Sequence, residues 1–277
     1  MTWLREVWRR PGGVYGVVVI VLLIVVAVVA SFWTPHDPFA ADPFHRWQAP
    51  SAQHLLGTDG SGKDILSYLM LGARTTLLVA VGSSVIATVL GLLLAALGAL
   101  TGRWAREVVA VAVDILIAFP VLLIAVMLSA VFKASLITVI VAVGIGFGVN
   151  IARVSRGEIR RVARTDYVLA SRASGTGPWG VLVTHILPNI APVFIVQLSL
   201  AAGVSVLAEA GLSFLGYGAS PDVASWGRML SDVRGEVTLY PLTAIWPGVA
   251  IALTVLAFNL FGDALREATD PRLKESR

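Results

Sequence analysis

The sequence predicts an all-α integral membrane protein with six transmembrane helices, and three observations carry that prediction. Hydrophobic residues fill 57% of the 277 positions and charged residues only 14%, with a mean hydropathy of +0.82, values of the membrane class. Six apolar runs are each long enough for a hydrocarbon core of about 30 Å, which takes roughly 20 helical residues. The segment from Arg153 to His185 holds six arginines between the fourth and fifth runs, a bias that marks the cytoplasmic side of a membrane.

The runs extend over Gly13–Trp33, Leu77–Leu100, Val108–Phe132, Ala134–Ala152, Ile190–Leu215 and Leu242–Phe261. Lipid offers no partner for backbone N–H and C=O groups, so each run must be helical. Arg5, Arg9 and Arg10 before the first run, and small residues at its end, resemble a signal peptide. The run exceeds the usual signal core and further spans follow, which favours an uncleaved anchor.

With the N-terminus inside, fifteen of the 21 Lys and Arg residues fall on the cytoplasmic side and six (Arg46, Lys63, Arg74, Lys133, Arg228 and Arg234) on the other. That asymmetry places both termini in the cytoplasm. The chain then divides into a cytoplasmic segment 1–12, a first helix 13–33 and an extracytoplasmic segment 34–74. A five-helix core follows over 75–265, with a cytoplasmic loop 153–188 and an outer loop 216–241, and 266–277 form a cytoplasmic tail. Pro35, Pro38, Pro43 and Pro50 make the 34–74 segment turn-rich before a short apolar helix near Ile65–Leu71.

The net charge of +4 does not point to nucleic acid, because the basic residues lie between apolar runs, where membrane orientation explains them. Absence of cysteine removes disulfides and thiolate metal sites. Gly57 to Lys63 satisfies the GxxxxGK pattern of a phosphate-binding loop, but Asp64 follows where a Ser or Thr hydroxyl must hold magnesium, so no nucleotide site is expected. His36, His45 and His54 recur at nine-residue intervals, which is no ligand signature, and no metal site is expected. There is no HExxH, no GxSxG and no cysteine nucleophile, so no catalytic residue is assigned.

Thr165 to Pro188 reads as two short helices meeting at a sharp turn. Thr165 suits a helix N-cap with Asp166 at the positive end of the dipole. Gly175 suits the left-handed position that ends the helix. Gly177 and Pro178 suit the cap and first turn of a second helix, expected to stop before Pro188. The alternative is an amphipathic loop on the lipid headgroups.

Within this segment Leu169-Ala170-Ser171, Gly175 and Ile186-Leu187-Pro188 resemble the EAA loop of ABC importer membrane subunits, with Leu169 in place of Glu and Ser171 in place of the second Ala. Other blocks resemble the dipeptide, oligopeptide and nickel permeases of the C type. They are Gly57-Thr58-Asp59 through Asp64, Gly72-Ala73-Arg74, Asp114 through Pro120, Glu209 through Gly216, Ser225-Trp226-Gly227, Gly262-Asp263 and Asp270-Pro271-Arg272. His54 also sits where that subfamily often has histidine. The resemblance implies a type I ABC importer-like fold whose 153–188 loop is a helix-turn-helix coupling element. It implies a second permease subunit completing a heterodimeric pore, one or two ATPase subunits that hold ATP and magnesium, and an extracytoplasmic solute-binding protein. This chain itself would lie in the cell membrane, hold no cofactor and be no enzyme.

The residues implied to meet the ATPase are Tyr167, Leu169, Ala170, Ser171, Arg172, Gly175 and His185. Ionisable groups at membrane depth are costly and mark function by default, so Asp114, Glu209 and, more weakly, Asn150 are candidates for the translocation pathway, against a structural role near helix ends. Gly91, Gly98, Gly144, Gly146 and Gly148 fit close helix packing. The expected cargo is a short peptide, with nickel or another small solute as the alternative. A self-sufficient transporter driven by an ion gradient would be expected to show an internal repeat with interrupted spans, and none is evident.

Overall fold

The computed structural model describes residues 6–100 and 102–269. Arg5, the Asp270-Pro271-Arg272 block and the basic residues Lys274 and Arg277 lie outside the described residues. The helices are α1 (Pro11–Ala30), α2 (Ile65–Leu100), α3 (Arg103–Ile117), α4 (Val121–Phe132), α5 (Leu136–Val162), α6 (Asp166–Ala173), α7 (Pro178–Val181), α8 (Leu187–Phe214), α9 (Trp226–Val233) and α10 (Pro241–Thr269). Five helical stretches are long and apolar enough to cross a membrane, and α3 with α4 makes a sixth as a bent pair.

That pair corrects the uninterrupted third span. Its two halves meet at 85°, because Pro120 has no N–H to continue the helix and disfavours helical geometry at Phe119. Pro120 instead serves as the N-cap of α4, with φ −59° and ψ 131°.

The second span also differs from expectation. The short helix near Ile65–Leu71 and the span from Leu77 are one helix of 36 residues, about 54 Å long at 1.5 Å per residue. It is too long for the hydrocarbon core alone, so its first turns project beyond it. Arg74, an exposed side chain on this helix, reads as a boundary in sequence, but its long stem lets the charge reach water without a break.

Close approach sets the packing. α5 lies along α2, where a Cβ on Gly144 would meet Ile86 at 2.6 Å, one on Gly148 would meet Leu90 at 2.9 Å and one on Gly91 would meet Ile151 at 2.7 Å. Small residues at helix contacts serve this purpose in membranes. Gly146 faces Val121 in the same way, whereas Gly98 has nothing within 4 Å and so is not a packing glycine. α1 packs on α10, where a Cβ on Gly16 would meet the Ala257 carbonyl at 2.8 Å, and Arg10 pairs with Glu267 across the same contact.

At one end of the bundle the 34–64 segment and the loop after α8 form a cap. Asp59 Oδ1 accepts from the N–H groups of Ser61 and Lys63, closing a turn that pairs Thr58 with Asp64. Asp64 caps α2 by accepting from Ser67 N at 2.8 Å, which satisfies one of the free donors of that helix end. Trp47 stacks on Tyr240 with centroids 4.3 Å apart. The loop after α8 contains α9, a helix not anticipated from sequence, whose start is capped by the Ser225 hydroxyl. Trp226 Nε1 donates to Leu69 O at 2.9 Å, and its ring occupies space that any side chain at Gly72 would fill.

Gly227 seats α9 on the backbone of Ala210 in α8, with no room for a Cβ. Overpacking a close backbone contact of this kind costs about 3 kcal/mol. Gly227→Val is therefore expected to lower the thermal unfolding midpoint of the purified transporter, as followed by intrinsic fluorescence, whereas Gly235→Val, at a glycine with open space around it, should leave it nearly unchanged.

Candidate functional site

The opposite end of the bundle is the elbow. α5 runs to Val162, and after a short link Thr165 stands at the N-cap of α6. The position is as expected but the chemistry is not. The Thr165 hydroxyl donates back to Val162 O at 2.7 Å and makes no cap bond, leaving Asp166 as the acidic group of the first turn.

α6 ends as the turn chemistry requires. Gly175 has φ +92°, its N–H donates to Arg172 O at 3.0 Å, and Thr176 N–H donates to Ser171 O at 3.1 Å. This is the paired bonding of a left-handed helix stop, which favours glycine because a Cβ is strained there. Gly177 is then the N-cap of α7, with Pro178 at its first position.

The second helix does not stop before Pro188. α7 passes through a π-helical turn, Leu182–Ile186, directly into α8, and the stretch from Pro178 to Phe214 is one membrane-crossing unit of 37 residues. In the wider turn Leu187 N–H reaches back to Leu182 O, so the ladder is already re-registered where Pro188 withholds its donor. The elbow is thus rigidly continuous with the fifth span.

Three of the seven sequence-nominated residues meet here. Ser171 Oγ donates to Thr176 Oγ1 at 3.0 Å and lies 3.0 Å from His185 Nε2, and the Tyr167 ring packs edge-on against His185 with centroids 5.9 Å apart. A serine in the place of alanine therefore latches α6 to the π turn. Val168, fully buried with Ile159, Val162, Val181, Leu182 and Ile186, pins the other side of α6. Leu169 and Ala170 consequently face out, Leu169 with 49% exposure. Arg172 lines a cavity of about 640 Å³ together with Arg106, Arg156, Arg160 and Arg164.

Removing the Ser171 hydroxyl costs about 1 kcal/mol of local stability. Ser171→Ala should lower the solute transported per ATP hydrolysed by a few-fold in proteoliposomes while leaving the global unfolding midpoint within about 2 °C of the parent.

The three membrane-depth candidates separate. Glu209, 1% exposed in α8, accepts through Oε1 from Ser213 Oγ and Ser225 Oγ, each at 2.7 Å. Ser213 Oγ in turn accepts from Ala219 N, so this carboxyl ties the end of α8 to the cap. Asp114 and Asn150 are exposed, yet their neighbours Val113 and Val149 share one buried cluster between α3 and α5. Neither takes part in the Glu209 hydrogen-bond network.

The cap brings together residues that sequence spacing had separated. Asp64 Oδ1 lies 2.9 Å from His54 Nδ1 and 3.7 Å from His36 Nδ1. Burial alone would raise the Asp64 carboxyl, but the Ser67 hydrogen bonds and the adjoining His54 and His36 hold it below the ordinary carboxylate value. His45 stands apart, bonded to Asp42 at 2.6 Å.

Comparison with known proteins places this architecture. Residues 87–275 match the model of the binding-protein-dependent transport system inner membrane component family, and residues 2–50 match the N-terminal transmembrane domain of oligopeptide transport permease C. A glutathione transport system permease protein of Pectobacterium atrosepticum is 35% identical over 275 residues, covering 98% of this chain and 91% of the relative. A dipeptide transport system permease protein of Alkalihalophilus pseudofirmus is 34% identical over 94% of this chain and 86% of its own. A nickel transport system permease protein of Escherichia coli strain K12 is 35% identical over 93% of both chains. With the helical bundle, the elbow and the cap all accounted for over nearly the whole length, the chain belongs to the binding-protein-dependent inner membrane component family, as an ABC importer permease of the C type.

Proposed function

We propose that this permease carries short peptides as one half of a heterodimeric pore, with the elbow end in the cytoplasm and the cap end outside. The observation that carries the coupling role is the outward face of α6, where Leu169 and Ala170 are exposed on a short helix fixed from behind by Val168 and Ser171. An ATPase subunit docking on that face would push on α6. Because α7, the π turn and α8 are continuous, the push passes to the fifth span as a rigid-body movement and opens alternate sides of the pore. Leu169 makes this dock apolar where the EAA loop has a charge. ATP and magnesium belong to the ATPase subunits, and an extracytoplasmic binding protein would deliver solute to the cap.

Asp114 and Asn150 are the residues of this half-pore proposed to face the pathway, being exposed polar groups on adjacent helices at membrane depth. Orientation follows the positive-inside bias, since five arginines line the cavity at the elbow end. Peptide cargo is supported by the names of the dipeptide and peptide relatives, 34% and 36% identical, while the nickel permease, at 35%, favours a second reading. Uptake of labelled dipeptides and of nickel by cells expressing the complete transporter, with and without this subunit, separates the two. Peptide uptake lost with the subunit supports the proposal, and loss of nickel uptake alone overturns it.

A further inference from the structure

Sequence spacing gave no reason to expect a metal, but the fold assembles a donor set that nine-residue intervals could not reveal. Among the described residues, His36, His54 and Asp64 place one ligand atom each within 4.8 Å of one another. They come from three places in the chain. His36 follows the end of α1, His54 lies in the loop before Gly57, and Asp64 is the N-cap of α2.

The arrangement is held from outside the donor set. Asp64 Oδ2 is occupied by Ser67 N at 2.8 Å and by Ser67 Oγ at 2.6 Å, which leaves Oδ1 to face the imidazoles. The same Ser67 Oγ accepts from His36 N–H at 3.0 Å, so one hydroxyl fixes both the carboxylate and the backbone that carries the first histidine. Such outer hydrogen bonds are what orient ligands around a metal. The two rings are 4.6 Å apart and tilted by 33°; His54 Nδ1 is hydrogen-bonded to Oδ1 at 2.9 Å, and His36 Nδ1 lies 3.7 Å from it.

The distances suit a small divalent ion. With bonds of about 2.0–2.1 Å, neighbouring ligands of a tetrahedral ion stand about 3.4 Å apart, and the separations of 2.9 and 3.7 Å from Oδ1 straddle that value. Two imidazoles and one carboxylate are the donors of zinc and nickel rather than of calcium or magnesium, which require more oxygens. Access is provided by a cleft of about 530 Å³ lined by Trp33, Pro35, His36, His54, Asp64 and Leu66, and the His36 side chain is 43% exposed. A fourth ligand such as water would have to come from that cleft.

We propose that His36, His54 and Asp64 form a binding site for a divalent transition metal at the cap end, through His36 Nδ1, His54 Nδ1 and Asp64 Oδ1. The ion clips the start of the 34–64 segment onto the N-terminus of α2, tying the link after the first span to the second. The site stands independently of the cargo and of the direction in which the chain lies in the membrane.

The test titrates Zn²⁺, and separately Ni²⁺ and Ca²⁺, into the purified detergent-solubilised transporter against a chromophoric chelator. His36→Gln, His54→Gln and His45→Gln are compared with the parent. The expected result is one Zn²⁺ per permease chain whose affinity falls at least about 100-fold in the first two variants and is unchanged in His45→Gln. Ca²⁺ should not compete. Because His54 is partly buried, each variant is also melted with and without Zn²⁺ and compared with its own metal-free midpoint. The parent and His45→Gln should rise and the other two should not. Equal Zn²⁺ stoichiometry and affinity in the parent and in His36→Gln, or no zinc-dependent rise in the parent, would overturn the assignment.

Discussion

Replacing Gly175 with valine is expected to uncouple the transporter, reducing solute uptake at least tenfold in proteoliposomes while ATP hydrolysis continues and the chain still inserts in the membrane. The cause is backbone strain rather than crowding. Nothing lies within 4 Å of a Cβ built at Gly175, but φ is +92°, a conformation that costs non-glycine residues of order 1–3 kcal/mol and is worst for β-branched ones. The elbow relieves the strain by changing the angle between α6 and α7, and the face carrying Leu169 and Ala170 turns with it. The cause can be isolated with Gly175→Asn, because asparagine tolerates left-handed geometry. That variant should keep most of the coupling. If asparagine and valine uncouple equally, the angle argument fails, and if valine transports normally, α6 is not the coupling element.

Loss of the Glu209 side chain should destabilise the protein more than any other single change at a span. Glu209→Ala leaves the hydroxyls of Ser213 and Ser225 without their buried acceptor, at about 1–3 kcal/mol for each group, and opens a cavity besides. The expected reading is a thermal midpoint lowered by several degrees and faster proteolysis of the loop that holds α9, since Ser225 is its N-cap. Glu209→Gln separates structure from transport. Its amide oxygen can accept from both serines, so a structural residue should tolerate the change with near-parental uptake. A well-folded Glu209→Gln transporter with uptake abolished would instead assign this group to the translocation pathway.

The legible and the hidden parts of this fold divide by the range of the interaction. Spans one, four, five and six follow from apolar length alone, and the Gly175 stop with the Gly177-Pro178 start follows from turn chemistry within a few residues. The breaks are harder. Pro120 bends the third span by 85°, while Pro188 and Pro192 do not end the fifth. The difference is a π turn that absorbs the missing donor of Pro188 and depends on Val181, Leu182 and Ile186 being buried against Ile159 and Val162. Arg74 misleads for the opposite reason, since an exposed charge ends an apolar run in sequence but not a helix that reaches beyond the bilayer.

The site residues follow the same rule. Gly175 and Asp166 are placed by local backbone preference. The roles of Ser171 and His185 rest on contacts across the elbow, and the meeting of His36 and His54 at Asp64 rests on a cap folded over 28 residues of chain. The blocks around Gly57, Gly72, Glu209 and Ser225 resemble one family in sequence without indicating why they belong together. In the structure they converge, through Asp64, Trp226, Glu209 and Gly227, on the one cap that closes the end of the bundle opposite the elbow.

The coupling claim is most directly tested by cross-linking from α6. The chain contains no cysteine, so Ala170→Cys introduces a single thiol on an exposed face. In membranes carrying the complete transporter, a short reagent that is thiol-reactive at one end and photoactivatable at the other should join position 170 to an ATPase subunit, with a yield that changes between nucleotide-free and ATP-bound states. A thiol placed at Phe44, exposed on the cap, should never reach that subunit. Cross-linking of the ATPase to position 44 and not to position 170 would contradict the account.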